Sequence, residues 1–250
     1  DNPIVRRDVA DLNVQVRLAD DAVGRIRAAL DRAGLAENTL FIYTTDHGIA
    51  FPGAKGTLRD PGLEVSLLAR GPRGFAGGKR VRGLVSNLDL YPTILAVAGV
   101  QSPSDTQGVS LLPLVDGSAA AVRDAVYGEL TYHTAYDPQR GIRTERYKYI
   151  RSFEERPESL PTHVDPSPTK DFLRDQGYFQ RPRAAEQLYD LAADPGERNN
   201  LAADPAALPI LLDLRARLER WMKQTGDPLL NGEIAPPEGA TITPVESYEP

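Results

Sequence analysis

The chain has 250 residues, 41% of them hydrophobic, a formal net charge of −6 and no cysteine. That length holds one large domain or two small ones, and the apolar fraction without long apolar runs describes a soluble globular chain. The missing cysteines exclude a disulfide, a thiolate metal site and a cysteine nucleophile within these residues, and the acidic balance argues against nucleic acid or an anionic membrane as partner.

Val9, Leu12, Val16, Ala19, Val23, Ile26 and Leu30 recur at three- and four-residue steps. This spacing predicts an amphipathic helix over 8–33, stopped by Gly34, with its acids and arginines on a solvated face. The next stretch, Thr39-Leu40-Phe41-Ile42-Tyr43-Thr44, is rich in β-branched and aromatic residues and reads as a buried strand. It runs without a break into Asp46-His47-Gly48, so an acid and an imidazole stand at the carboxyl end of a strand, where open α/β sheets build their sites. Gly48 lets the backbone turn sharply after them. Lys55 follows in a glycine-flanked loop, Gly53-Ala54-Lys55-Gly56-Thr57.

A second buried strand is expected over 64–69, and Gly71, Pro72, Gly74, Gly77 and Gly78 punctuate the loop after it. Asp89 is the expected N-cap of a helix with Pro92 in its first turn, an apolar face of Leu90, Ile94, Leu95 and Ala98, and Gly99 at its end. Loop-rich stretches over 101–105 and 112–121 mark a change of subdomain. Strands are expected over 125–130 and 141–150, the second with a basic turn at 143–146, and a short one over 188–191. The four prolines over 156–168 make an ordered loop or an insertion. A last helix, 208–221, carries Leu211, Leu214, Leu218 and Trp221 as a core stripe. The proline-rich tail beyond Gly226 has no pattern, and wraps the surface or is mobile.

The order strand, Asp46-His47-Gly48, Lys55-Gly56-Thr57 loop, strand, Arg70-Gly71-Pro72, then Asn87-Leu88-Asp89-Leu90-Tyr91-Pro92-Thr93, resembles the metal-binding half of a sulfatase of the alkaline-phosphatase superfamily. The later runs Arg143-Thr144-Glu145-Arg146-Tyr147-Lys148-Tyr149 and Gln187-Leu188-Tyr189-Asp190-Leu191 keep the family pattern. Glu129-Leu130-Thr131-Tyr132-His133 is similar to the sugar-facing segment of the heparan N-sulfatase-like branch. The resemblance implies an α/β fold: an alkaline-phosphatase-like sheet with flanking helices over 1–121, its N-terminal part missing. It also implies a smaller C-terminal α+β subdomain with an antiparallel sheet over 122–226, and a tail over 227–250. The implied function is hydrolysis of a sulfuric ester or sulfamate on a sulfated sugar or glycan.

Asp46 and His47 are then the implied metal ligands, and Lys55 is the lysine that contacts the sulfate, as a catalytic and substrate-binding residue. Tyr132 and His133 become candidates for sugar recognition. A hard carboxylate suits calcium, with magnesium as the alternative, whereas imidazole is an unusual calcium partner, so His47 is either a ligand or a hydrogen-bond partner of the sulfate. His163, in the proline-rich loop, reads as structural or incidental. The family nucleophile, a formylglycine made within Cys/Ser-x-Pro-x-Arg, has no match: Ser159-Leu160-Pro161-Thr162-His163 lacks the arginine. The nucleophile and the upstream acidic pair are expected outside this chain, in an N-terminal half that is the implied partner, and the family implies a periplasmic or secreted location. A phosphonate or phosphate monoester hydrolase on the same scaffold, or a catalytically inactive binding protein, remains the alternative.

Overall fold

A computed structural model describes residues 2–75 and 77–249. The chain forms two compact units. One comprises Val9–Asp46 and Val65–Val126; the other gathers the residues up to Asp8, His47–Glu64 and everything from Tyr127 on. The expected boundary at 121/122 lies near the break at 126/127, but the loop after Asp46 groups with the later residues.

The helix α1, Pro3–Arg32, starts earlier than its apolar pattern because the Asn2 side chain accepts the Ile4 N–H at 2.8 Å. It ends before Gly34, whose φ of 68° suits glycine. No α1 residue is buried. Strands β1, Phe41–Thr44, and β2, Leu67–Arg70, pair antiparallel, with Phe41 opposite Arg70 and Thr44 opposite Leu67. They are not the buried strands expected: β1 is half-buried and Leu68 is 64% exposed. A two-stranded ribbon gives each strand a single neighbour, so an apolar run finds only partial cover.

The helix α3, Leu90–Ala98, ends at Gly99 as expected (φ 75°), but Asp89 does not cap it. Ser86 caps the preceding turn, Asn87–Asp89, in a capping box. The Asp89 carboxylate instead accepts from Ser86 N at 2.8 Å, Val109 N at 2.9 Å and both Nη atoms of Arg123. Its place inside the turn points it back along the chain, away from the helix N–H groups. Burial pushes this carboxyl up, but Arg123 and the two N–H groups outweigh that and hold it below the ordinary range. Two single-turn helices, α2 (Asp60–Leu63) and α4 (Leu112–Val115), stand where loops were expected.

The other unit is built on a four-stranded sheet of order β3-β4-β5-β6, from Ala125–Tyr132, Tyr136–Thr144, Tyr147–Ser152 and Glu186–Asp190. The last three strands are antiparallel neighbours, Gly141 facing Ile150 and Tyr149 facing Leu188. β4 begins before the predicted 141 despite Pro138, whose carbonyl still accepts the Phe153 N–H at 3.0 Å. Leu58, Ile150, Tyr189 and Leu191 form a buried cluster, with Leu130 packed against it. Leu58 fills the space left by Gly128 and Gly141, where an added Cβ would come within 3.4 Å of it.

Helix α5 is Pro168–Asp175, and helix α6, Leu208–Thr225, lies on β4 and β5. Its buried stripe is Leu211, Leu214, Leu218 and Met222. Trp221, expected in that stripe, stands at its edge and stacks on Tyr127, ring centroids 4.9 Å apart and 3° from parallel. The i, i+3, i+7, i+11 spacing that ends on Met222 follows the helical period more closely. A buried bidentate pair ties the end of α6 to β4: Arg140 Nε donates to Asp227 Oδ2 at 2.6 Å and Nη2 to Oδ1 at 3.0 Å.

The tail wraps this unit. Thr243 N donates to Thr134 O at 2.9 Å, and the Lys170 ammonium donates to Tyr248 O at 2.6 Å. Among the described residues no helix is long and apolar enough to cross a membrane.

Candidate functional site

Asp46 is exposed at the end of the β1 segment, and His47 next to it is half-buried. The His47 ring sits with Nδ1 2.7 Å from the Gly48 carbonyl. A carbonyl can only accept, so Nδ1 is the donor in this contact. The loop then closes on itself, Gly48 N donating to Gly62 O at 2.9 Å and Ile49 N to Pro61 O at 3.1 Å. A Cβ on residue 48 would lie 2.0 Å from the Pro61 oxygen, so only glycine fits after the Asp-His pair.

Lys55 rides on this closed loop, its N–H held by Ile49 O at 3.2 Å. Its ammonium donates to Asp165 Oδ2 at 2.6 Å, and its side chain is only 15% exposed. Gly56, at φ 71°, lets the chain pass over His163, whose Cβ would lie 2.7 Å from a residue-56 Cβ. His133, exposed between β3 and β4, sets its ring edge-on to His163 at 5.2 Å. Lys55, His133, His163 and Asp165 therefore meet in one place, within electrostatic reach of His47.

The charges of this cluster act on one another. Burial pushes the His133 imidazole below its ordinary value. The Lys55 ammonium pushes the same way, Asp165 opposes it, and His47 adds a smaller push down. His133 is thus neutral at pH 7. His163 is 1% exposed, neither ring nitrogen has a hydrogen-bond partner among the described residues, and burial above all pulls it down to about 4. The hydrogen bond from Lys55 holds the Asp165 carboxyl below the usual range against a smaller opposing effect of burial.

Tyr132 does not join this cluster. Its hydroxyl donates to Ile234 O at 2.7 Å and its ring packs on Tyr136 at 4.9 Å, so it faces the tail. His163, which the sequence reads as structural or incidental, is buried beneath Gly56, and Asp165 is the member that sequence reasoning missed. No local pattern marks Asp165, which meets Lys55 across 110 positions.

Asp46 and His47 suit a divalent ion in kind, a hard carboxylate and an imidazole, but not in number. Among the described residues no three His, Cys, Asp or Glu side chains gather to hold a metal. Among the described residues this segment alone does not make a complete metal site.

The model of the N-sulphoglucosamine sulphohydrolase C-terminal family matches residues 54–181, and the sulfatase family model matches 7–100. An ulvan-active sulfatase of Formosa agariphila is 36% identical over 215 residues, covering 84% of this chain and 42% of its own length. Human N-sulphoglucosamine sulphohydrolase is 31% identical over 254 residues, covering 90% of this chain and 50% of its own length. The structure of a protein in complex with its substrate D-glucosamine-2-N,6-O-disulfate superposes with a TM-score of 0.65 at 25% identity, covering 85% of this chain and 40% of that one. The chain thus spans half or less of the length of these relatives. With the strand-to-Asp-His-Gly order and the closed lysine loop, these matches show that the chain belongs to the sulfatase family of the alkaline-phosphatase superfamily.

Proposed function

We propose that this chain is the sulfate-gripping and sugar-facing portion of a glycan sulfatase, a hydrolase of sulfuric esters or sulfamates. The observation that carries the reading is the meeting of Lys55, His133, His163 and Asp165 on a loop that opens with Asp46-His47-Gly48. The relatives that act on ulvan and N-sulphoglucosamine, and the neighbour with its disulfated glucosamine, favour a sulfated sugar as substrate.

In this reading Lys55 places its ammonium on a sulfuryl oxygen and stabilises the charge that grows there. Asp165 keeps the ammonium aimed until the sulfate takes its place. His133, neutral at pH 7, accepts from or donates to a sugar hydroxyl or a sulfamate N–H. Tyr132 acts through the tail it binds and steadies the His133 turn. Sulfatases generally use a divalent metal; here Asp46 would be one ligand of a calcium ion, with His47 another or a hydrogen-bond partner of the sulfate. The remaining ligands and the nucleophile would come from segments outside these residues.

The test is sulfate release from glucosamine N-sulfate and from a small aryl sulfate. The protein carrying this segment together with a formylglycine-bearing segment should release sulfate, and the 250 residues alone should not. Lys55→Ala should lower kcat/KM by about a hundredfold or more, the usual effect of removing one preorganised charge-stabilising donor. Asp46→Ala should remove bound metal as well as turnover. Turnover unaffected by Lys55→Ala, or faster turnover of phosphonate and phosphate esters than of sulfates, would overturn the reading.

A further inference from the structure

Next to the lysine loop, where Tyr178 Oη lies against Gly53, a cavity of about 410 Å³ opens between Arg59, Tyr178, Arg181, Gln187, Tyr189 and Arg198. A volume of this order suits a small ligand, and the lining is unusually polar for one. Its charges do not cancel. Glu197, in the wall, is neutralised with Asp60 by Lys148 and Arg143: Glu197 Oε1 lies 3.0 Å from the Lys148 ammonium, which also reaches Asp60, while Arg143 Nη2 is 3.3 Å from Asp60 Oδ2. Glu158 is matched by Arg59 at 3.4 Å. Arg181 and Arg198 have no acidic partner among the described residues, so the cavity is left with two uncompensated positive charges.

Arg59 is also underused. All three of its hydrogen bonds run through Nη2, to Tyr189 Oη at 3.2 Å and to Glu158 Oε1 and Gln187 Oε1 at 3.4 Å. Its Nε and Nη1 make none to the described residues. The phenol of Tyr178 adds a ring face that Arg181 already covers at 5.1 Å, and Tyr178 Oη lies against Gly53 of the lysine loop. Glu197 itself sits at φ 51°, a left-handed conformation that non-glycine residues rarely adopt. It is held there by the Asp60 N–H at 2.6 Å. Such strain persists where the surroundings over-determine it, and it gathers at binding sites.

The geometry points to a second saccharide site: this cavity binds an anionic sugar residue, a uronate or a sulfated unit, of the same polymer whose sulfate reaches Lys55. Forked guanidinium donors suit a planar carboxylate or a sulfate, and phenols and side-chain amides suit ring hydroxyls. The inference rests on the glycan reading for the polymer, while the binding itself rests on the cavity. A chain that grips its polymer at two places gains through effective concentration without any new contact at the reacting bond.

The experiment titrates the full chain carrying Lys55→Ala, which silences the sulfate site, with a heparin tetrasaccharide, its desulfated counterpart and inorganic sulfate. The tetrasaccharide should bind, and adding Arg181→Ala and Arg198→Ala together should raise its Kd about tenfold or more. Both arginines are exposed, so an unchanged thermal unfolding midpoint should show that the fold is kept. Binding retained by the desulfated sugar assigns the carboxylate as the anchor, and binding lost with desulfation assigns the sulfate; both support the site. A Kd unchanged by the double substitution, or inorganic sulfate binding as tightly as the tetrasaccharide, overturns it. Sulfate release by the unmodified protein tests the hydrolase reading separately, so the two can fail independently.

Discussion

The two compact units differ in how they satisfy their own surfaces. The unit from Tyr127 on buries Ile142, Tyr149, Ile150 and Leu188 in its sheet, and Leu211, Leu214, Leu218 and Met222 on α6. It also buries the charged pairs Arg140–Asp227 and Arg183–Asp137 with both partners nearly inaccessible. The unit of Val9–Asp46 and Val65–Val126 leaves Val16, Leu18, Ile26 and Leu68 more than half exposed. One closes a core within these residues; the other leaves large apolar side chains exposed. The site residues that meet, Lys55, His133, His163 and Asp165, all belong to the closed unit. Asp46 belongs to the open one. The charged cluster around Lys55 thus lies wholly within the self-sufficient region.

The sharpest way to break this contrast is Arg140→Ala, which strands the buried Asp227 carboxylate. It should cost about 3–5 kcal/mol of stability, the usual effect of removing one partner of a buried pair. Urea unfolding followed by Trp221, the single tryptophan, reads it out in the closed unit. A loss under about 1 kcal/mol would mean that this core does not depend on the pair.

A second test uses acid. His163 stays neutral in the fold down to about pH 4, whereas in the unfolded chain it takes up a proton near 6.5. In that window the folded state binds fewer protons, so stability is full above pH 6.5 and falls as the pH drops, by about 3 kcal/mol in all. His163→Phe keeps a ring and removes the nitrogens, so it should flatten this part of the acid limb. An identical limb in the variant would show that other groups carry it.

The smallest expected effect is in the open unit. Leu68→Ser, at a side chain 64% exposed, should change stability by no more than about 0.5 kcal/mol. It should, however, reduce binding of a dye that reports apolar surface. A large destabilisation would mean that Leu68 is already covered and the contrast between the units is false.

Much of the fold is legible in the sequence where local chemistry decides it. The strand before Asp46 follows from its β-branched and aromatic run, and Gly34 and Gly99 end their helices through backbone geometry no other residue adopts as easily. Gly48 is legible as a turn, although its full reason, the Pro61 carbonyl 2.0 Å from where its Cβ would be, needs the fold. Legibility stops where partners lie far apart in the chain. Asp89 has every local mark of a helix cap, yet Arg123 and Val109 claim its oxygens. His163 and Asp165 sit in a proline-rich loop without periodicity, and only the folded chain sets them against Gly56 and Lys55. Tyr132 looks like a sugar platform beside His133, but Ile234 takes its hydroxyl.

The ion pair between Lys55 and Asp165 has a consequence for the order of events during synthesis. It joins positions 110 apart, and the contact of the Asp60 N–H with Glu197 joins positions 137 apart. Contacts of such long sequence separation form only after a large loop-closure entropy has been met, and they fold slowly. A ribosome adding about 5–20 residues per second needs about 5–20 s to pass from one member of the Lys55 pair to the other. Throughout that interval the lysine loop exists without its counter-ion, while Val65–Val126 of the open unit emerges between the two. The Lys55–Asp165 pair therefore cannot form until the open unit's Val65–Val126 stretch has been made, and slowing translation between codons 65 and 126 would prolong the time for which it stands incomplete.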